Sequence, residues 1–269
     1  MLQDLALAAM RKLVERSGQT GFAATPAGAL RYVTRGPPGA PDLLLLHGLG
    51  DSLAGWAQVV DPLSRRHRVH LLDLPGHGLS ARPPDWRLET LVLAVGHYAR
   101  GLRTPVVAGH SLGGWIALRL ARALPLAGLQ LINPGGAALD PARWAPFREL
   151  VSARDRRGVE RYLAAAFHRP PLLLRLLPGE VISAMWTESA RGLLDAIGPQ
   201  DFITGDELRA LRLPVRLIWG ARDRLLPEGT RAFFQRGLPD ADLVELAGAG
   251  HLPHLESPRA LSRALALPL

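Results

Sequence analysis

Ser111 lies in a sequence pattern that presents a hydroxyl group for nucleophilic attack. Residues 109–113 read GHSLG, after the apolar run 106–108 and before a pattern of helical periodicity. A nucleophile at such a sharp strand-to-helix turn has strained backbone angles, and side chains in place of the two glycines would collide across the turn. The pattern therefore predicts Ser111 as the nucleophile of an acyl-transfer reaction, with a serine helix cap between incidental glycines as the lesser alternative.

A second glycine-rich turn could supply backbone donors to an oxyanion. The continuously apolar run 43–46 ends in the residues HGLG at 47–50, where glycine allows the main chain to approach a substrate closely. We predict that the N–H groups of Leu49 and Leu112 form an oxyanion pair, because the helix beginning at Leu112 directs its N–H groups and positive dipole end there. Candidate substrate contacts beside this turn are His47, Gly48 and His110, with loop organisation as the alternative for His47 and packing beside the turn for His110.

Taken together, these motifs resemble the α/β-hydrolase superfamily, in its helical-lid branch of esterases and their relatives. The resemblance covers essentially the whole chain. Residues 73–80, DLPGHGLS, are similar to the family's D-x-P-G-x-G-x-S loop, for which the resemblance implies a structural role in bracing neighbouring loops.

The resemblance implies a base and an acid in the order serine, acid, histidine. Asp223 is similar to the family acid in G-x-x-D-x-x-x-P, and His251 is similar to the base in G-x-G-H. His251 would take the proton of Ser111, and Asp223 would fix the tautomer of the imidazole. His254 is an alternative base, although only His251 directly follows the glycine turn. Asp201 and Asp206 fall in the helical insertion or its hinge and are poorer acids.

Short apolar runs alternate with longer amphipathic segments, which is typical of parallel strands joined by crossover helices. We therefore predict an α/β fold with a mostly parallel, doubly wound sheet, and the candidate residues follow the carboxyl ends of its strands. The predicted strands are 30–34, 43–46, 69–72, 105–108, 129–132, 215–219 and 243–246, and the predicted helices are 88–102, 112–124, 228–237 and 258–267.

Residues 137–212 contain no convincing strand and predict an inserted helical cap, with residues 1–136 and 213–269 as the hydrolase core. The insertion is rich in leucine and aromatic residues, which indicates a largely apolar acyl or ring pocket; packing of cap helices on the core is the alternative. Trp144 and Trp186 are its candidate substrate contacts.

The N-terminal segment 1–18 predicts an amphipathic helix that packs on the body, with membrane-surface or dimer contact as the alternative. Its apolar stretch is short and contains Asp4, which argues against a secretory signal. No segment has the roughly 18 apolar residues of a membrane span, and cysteine is absent, which is compatible with a reducing cytoplasm. We expect a cytoplasmic monomer or homodimer.

The charge of the chain is +8, and Lys12 is its only lysine among 32 basic residues. Arginines are spread along the chain, so a compositional habit is favoured over a surface for nucleic acid or anionic lipid. No spacing indicates a metal site, and the turn GLGD lacks the ending of a phosphate-binding loop. We expect no metal, no cofactor and no nucleic-acid partner.

The predicted function is hydrolysis of small to medium, largely apolar or aromatic carboxylic esters through an acyl-serine intermediate. Alternatives on the same fold are carbon–carbon bond hydrolysis of ring-fission products, thioester or lactone hydrolysis, and cofactor-free perhydrolysis. A non-catalytic accessory or binding protein on the same scaffold is the alternative of a different class.

Overall fold

The computed structural model describes residues 2–269, with side chains described for residues 7–184 and 186–269. Eight strands form one sheet in the order β1-β2-β4-β3-β5-β6-β7-β8. The first two junctions, β1 with β2 and β2 with β4, are antiparallel, and all later junctions are parallel. The strands are β1 (Gln19–Thr25), β2 (Gly28–Arg35), β3 (Asp42–Leu46), β4 (Arg68–Leu72), β5 (Val106–His110), β6 (Gly128–Ile132), β7 (Val215–Gly220) and β8 (Asp242–Leu246).

The sheet is covered on both faces, which confirms the predicted mostly parallel, doubly wound α/β fold. Successive residues of a strand point to opposite faces, and β3 illustrates this directly. Leu44 and Leu46 pack in one buried cluster with the helices at 88–99 and 112–120, whereas Leu43 and Leu45 pack in a second cluster with the helices at 2–15, 60–63 and 258–266. The helices outside the insertion are α1 (Leu2–Glu15), α2 (Val60–Leu63), α3 (Leu88–Ala99), α4 (Leu112–Leu120), α11 (Thr230–Gly237), α12 (Pro253–Glu256) and α13 (Pro258–Ala266).

Every predicted strand overlaps an observed one, but β1 was not predicted. This strand lies at the edge of the sheet and buries no residue fully, and Phe22 is exposed on it. An edge strand with one open side needs no continuous apolar run, so its sequence, QTGFAAT, carries only a weak signal.

The predicted N-terminal helix is present as α1 and packs on the body. Val14 is completely buried, and Met10 packs against the same cluster, while Leu7 and Leu13 are exposed. Leu2 and Leu5 also belong to the apolar face predicted for this helix, and they lie outside the residues whose side chains the structure describes. Among the helices of residues 2–269, none is both long and apolar enough to cross a bilayer.

Six helices lie between β6 and β7, in the segment predicted to be a cap. Apart from an isolated bridge between Ala137 and Ile203, no strand pairing occurs in this part of the described chain. We propose that residues 137–212 form a cap and that the rest of the chain forms the core. Near the end of this segment, Leu208 packs in the buried cluster that also contains Phe234. The helices are α5 (Pro141–Val151), α6 (Arg156–Ala166), α7 (Leu172–Leu176), α8 (Pro178–Met185), α9 (Glu188–Ala196) and α10 (Gly205–Arg209).

Candidate active site

Ser111 occupies a sharp turn between β5 and α4. Its backbone has φ of 52° and ψ of −111°, a left-handed value of φ that a residue with a side chain rarely adopts. A Cβ atom on Gly109 would lie 2.2 Å from the carbonyl oxygen of Gly113, so the expected collision across the turn is real. A Cβ atom on Gly113 would instead meet the carbonyl of Leu46 in β3, at 2.3 Å. The two glycines therefore permit the turn and its close approach to the sheet.

Asp223 and His251 form a buried pair at the ends of β7 and β8. The Nδ1 atom of His251 lies 2.8 Å from Oδ2 of Asp223, and both side chains are almost completely inaccessible to solvent. Oδ1 of Asp223 accepts hydrogen bonds from the backbone N–H groups of Leu225 and Leu226, at 3.0 and 3.3 Å. Because a carboxylate only accepts, Nδ1 of His251 must be the donor, which leaves Nε2 as the basic nitrogen.

The loop that carries His251 is fixed by hydrogen bonds to three other parts of the chain. The backbone N–H of His251 donates to the carbonyl of Ala166 at the end of α6, at 2.6 Å. The neighbouring carbonyl of Ala165 accepts from the N–H of Arg224, beside the acid. The carbonyl of His251 accepts from His110 Nε2 at 2.7 Å and from Asn133 Nδ2 at 3.0 Å. His251 is thus held jointly by the turn at Ser111, the end of β6 and the helical insertion.

Asn133 was not predicted from the sequence. It follows β6 with φ of 40°, and its Oδ1 accepts from the N–H of Gly220 at the end of β7. Its Nδ2 donates to the carbonyls of Gly250 and His251. The sequence offers one signal for this residue, an isolated asparagine directly after an apolar strand. Asparagine tolerates the left-handed region of φ better than most other residues with side chains, so it is typical of such a turn.

Glu256 also was not predicted. Its carboxylate joins the loop that carries His251 to the helical insertion. Its Oε2 accepts from the N–H of Gly250 at 2.7 Å, immediately before His251. Its Oε1 accepts from the N–H groups of His168 and Arg169, at 2.8 and 3.1 Å. One carboxylate therefore satisfies three backbone donors that otherwise have to find water or remain unpaired.

We expect Glu256→Gln to lower the free energy of unfolding by about 1–3 kcal/mol and to reduce kcat/KM. The amide keeps one acceptor but turns an NH₂ group toward a backbone N–H, so at least one donor loses its partner. Urea unfolding measures the first effect and ester hydrolysis the second. Glu160→Gln on the exposed face of α6 is the matched control and should change stability by less than about 0.5 kcal/mol. Equal stabilities of the two variants would contradict the anchoring role of Glu256.

The two predicted oxyanion donors lie beside Ser111. Among the described hydrogen bonds, none uses the N–H of Leu49 or of Leu112, and Leu112 is the first residue of α4, where N–H groups have no partner within the helix. A Cβ atom on Gly48 would lie 2.8 Å from His110 Nδ1 and 3.3 Å from Ser111 Cβ, which shows how closely this turn approaches the serine. Both N–H groups therefore remain candidate donors to an oxygen of a substrate.

A cleft brings Ser111 and His251 together under the helical insertion. Helices α5 and α6 contribute apolar and aromatic side chains to it, and the loops after β7 and β8 contribute two leucines. Of the predicted substrate contacts, Gly48 and His110 line the cleft. The complete lining is Gly48, Leu49, Asp51, His110, Ser111, Phe147, Val151, Tyr162, Leu225, His251 and Leu252.

The other predicted substrate contacts lie outside this lining. His47 is completely buried; it accepts from the N–H of Leu74 through Nε2 and donates from Nδ1 to the carbonyl of Gly48. Trp144 is buried against Phe147 and Phe202, and Trp186 lies against the guanidinium group of Arg154. The two hydrogen bonds of His47 thus hold the turn at residues 47–50 against Leu74, and Trp144 and Trp186 pack on side chains of the insertion.

The remaining histidines near the site are buried. Burial lowers the pKa of His110 well below its ordinary value and, with a smaller contribution from His47, lowers the pKa of His77 to about 4. These two rings are therefore neutral near pH 7. His254, the alternative base, pairs with Asp51 at 3.2 Å, whereas Asp223 pairs with His251.

The loop at 73–80 braces its surroundings as the resemblance implies. The carboxylate of Asp73 accepts from the N–H groups of Leu53 and Leu79, both at 2.8 Å.

Within the described residues, no group of three or more histidine or acidic side chains is arranged to hold a metal ion.

Comparisons with known proteins agree with this architecture. The sequence model of the alpha/beta hydrolase family matches residues 43–264. A pimeloyl-(acyl-carrier protein) methyl ester esterase of Chromobacterium violaceum is 32% identical over 84% of this chain and 93% of its own length. The dihydrolipoyllysine-residue acetyltransferase component of the acetoin cleaving system of Cupriavidus necator is 30% identical over 84% of this chain, and the match spans 63% of that longer protein.

Solved structures share the same fold. A membrane phospholipase A, a bacterial virulence factor, superposes with a TM-score of 0.82 at 26% identity, covering 98% of this chain and 90% of its own. Carboxylesterase CesB from Bacillus subtilis gives a TM-score of 0.79 at 24% identity, over 98% of this chain and 95% of its own. The matched sequence, the sheet order and the serine at its strained turn lead to one conclusion: the chain belongs to the α/β-hydrolase family and is a hydrolase.

Proposed function

We propose that this hydrolase cleaves carboxylic esters through an acyl-serine intermediate, with Ser111 as nucleophile, His251 as general base and Asp223 as the acid of the triad. The observation that carries the proposal is the shared cleft. It contains the strained Ser111 and an imidazole whose Nδ1 is held by a buried carboxylate, and the two free N–H groups of Leu49 and Leu112 lie beside it.

The first half of the reaction forms a bond between Ser111 Oγ and the ester carbonyl carbon. His251 Nε2 accepts the hydroxyl proton during the attack, and the N–H groups of Leu49 and Leu112 bind the resulting oxyanion. When the tetrahedral intermediate collapses, the bond from carbon to the alkoxy oxygen breaks, and the imidazolium of His251 returns its proton to that oxygen. Asp223 stabilises the imidazolium between these two events.

The second half uses water in the place of the serine. His251 Nε2 accepts a proton from water, whose oxygen attacks the acyl carbon, and the oxyanion is held by the same two N–H groups. Collapse breaks the bond to Ser111 Oγ, which recovers its proton from His251. One ester and one water therefore give one carboxylic acid and one alcohol, with the enzyme regenerated.

We propose a small to medium substrate, and the lining of the cleft supports a largely apolar or aromatic one. Phe147, Val151 and Tyr162 reach the cleft from the insertion, and Leu225 and Leu252 reach it from the core. Such side chains bind hydrocarbon by removing apolar surface from water. The relative from Chromobacterium violaceum, named as a methyl ester esterase, supports ester hydrolysis over the other reactions of this fold.

The proposal is tested by labelling and by turnover. We expect a fluorophosphonate probe to react covalently with the wild-type enzyme and peptide mapping to place the label on Ser111, because only an activated serine reacts rapidly. The enzyme should hydrolyse p-nitrophenyl esters from acetate to octanoate with a burst of p-nitrophenol. A protein that neither takes up the label nor hydrolyses any ester of this series would contradict the proposed function.

A further inference from the structure

Asp51 is a charged group of the cleft that the proposed reaction does not use. It follows the oxyanion turn, where Gly50 has φ of 73°, and it lines the cleft together with Ser111. Its Oδ1 accepts from the N–H of Ser52 at 2.7 Å, and its Oδ2 lies 3.2 Å from Nε2 of His254. A quarter of the side chain is exposed, at 25%. The carboxylate is therefore anchored, and it also faces the space that a substrate fills.

Asp51 pairs with one histidine and, among the described ion pairs, with no arginine or lysine. Nδ1 of His254 is buried without a hydrogen-bond partner among the described residues, so this ring meets the carboxylate only through Nε2. Burial raises the pKa of Asp51, but the hydrogen bond and the charge interaction with His254, followed by the charge interaction with His47, outweigh burial and lower this pKa. The carboxylate is therefore ionised, and no permanently charged side chain of the described residues is paired with it.

Two of the side chains that line the cleft with Asp51 are aromatic, those of Phe147 and Tyr162. Burial, followed by the charge of Asp51, raises the pKa of Tyr162 to about 12. The phenol therefore stays neutral and close to the carboxylate. Aromatic rings beside a single carboxylate are the surroundings that bind an ammonium group, through the ring quadrupoles and direct charge attraction.

We propose that the cleft selects esters that carry an ammonium group in the acyl or the alcohol part, and that Asp51 is the residue that determines this specificity. The inference rests on the proposed ester hydrolysis and adds the chemical class of its substrate. Esters with a carboxylate in the same place are disfavoured, because two negative charges would meet in a cleft that contains no fixed positive side chain among its described lining.

Two matched series of esters test the proposal. The first consists of p-nitrophenyl esters of equal chain length whose acyl end is a methyl, a trimethylammonium or a carboxylate group. The second compares the butyrate ester of choline with that of its neutral isostere, 3,3-dimethylbutanol. In at least one series we expect kcat/KM of the wild-type enzyme to favour the ammonium ester over its neutral or anionic counterpart by about tenfold or more.

Asp51→Asn removes the charge and keeps the size of the side chain. The amide retains one acceptor oxygen, which can serve either the N–H of Ser52 or Nε2 of His254. Because the charge is lost, the preference for the ammonium ester should fall to within about twofold. Asp61→Asn, which removes an exposed carboxylate that pairs with Arg35 and lies outside the cleft lining, should keep the wild-type preference. The wild-type ratios need no variant, so they remain decisive even if Asp51→Asn folds poorly in a thermal melt.

The outcomes distinguish this inference from the proposed function. Hydrolysis of neutral esters without any preference for the ammonium ester over its neutral or anionic counterpart in either series overturns the ammonium specificity and leaves ester hydrolysis intact. A preference that survives in a folded Asp51→Asn variant overturns the role of Asp51. The absence of all hydrolysis together with the absence of serine labelling overturns the proposed function itself.

Discussion

Replacement of Ser111 by alanine is expected to reduce kcat/KM for a p-nitrophenyl ester by about 10⁴-fold or more and to abolish fluorophosphonate labelling. Alanine removes one oxygen atom and keeps the Cβ that this position already accommodates. The oxyanion donors and the cleft stay in place, so binding and the background reaction should persist. Because acylation requires the missing oxygen, no burst of p-nitrophenol should remain.

Ser183→Ala provides the control for this variant, because Ser183 is an exposed serine of α8. It should retain both labelling and turnover within experimental error. Thermal melts of the Ser111 variant should resemble those of the wild type or show higher stability, because alanine has no polar side-chain atom that needs a hydrogen-bond partner at this site. Burst kinetics that survive in Ser111→Ala would refute the nucleophile assignment.

Replacement of Asp223 by asparagine is expected to lower kcat by about 10⁴-fold, through the tautomer of His251. The N–H groups of Leu225 and Leu226 require an acceptor, so the amide oxygen should turn toward them. The NH₂ group then faces Nδ1 of His251 and forces this atom to accept. The ring proton moves to Nε2, which can no longer take the proton of Ser111.

The rate of single-turnover acylation measures this effect directly, and KM should change little because Asp223 is fully buried behind the base. Asp240→Asn, at an exposed position before β8, is the matched control. NMR of the imidazole nitrogens should report a change of tautomer in the Asp223 variant alone. An Asp223→Asn enzyme with more than about a tenth of the wild-type kcat would refute the role of this carboxylate.

The parts of the structure that the sequence predicts are those encoded by short segments. Buried parallel strands require continuous apolar runs, and a strained turn requires glycines at fixed places, so β3, β5 and Ser111 are visible locally. Asp223 and His251 follow strands in the family order, and the structure brings them within hydrogen-bonding distance.

The remaining groups near the site were not predictable because their contacts join distant parts of the chain. Asn133 meets the carbonyl of His251, which lies 118 positions later, and no local pattern specifies that pairing. Glu256 binds backbone N–H groups of His168 and Arg169, whose positions depend on how α6 ends. Aromatic content alone suggested Trp144 and Trp186 as substrate contacts, and these remain predictions; the aromatic side chains of the insertion that line the cleft are those of Phe147 and Tyr162.

The hydrogen bonds from Arg224 and His251 to the last carbonyls of α6 limit how this enzyme can be re-engineered by exchanging modules. A helical insertion transplanted from a relative has to place two carbonyl oxygens where those of Ala165 and Ala166 lie. Otherwise the backbone N–H groups of Arg224 and His251 lose their acceptors, and the imidazole is no longer held in position. Chimeras that retain residues 165–169 should therefore keep their rate of ester hydrolysis. Chimeras that replace this short stretch should fold but hydrolyse esters more slowly.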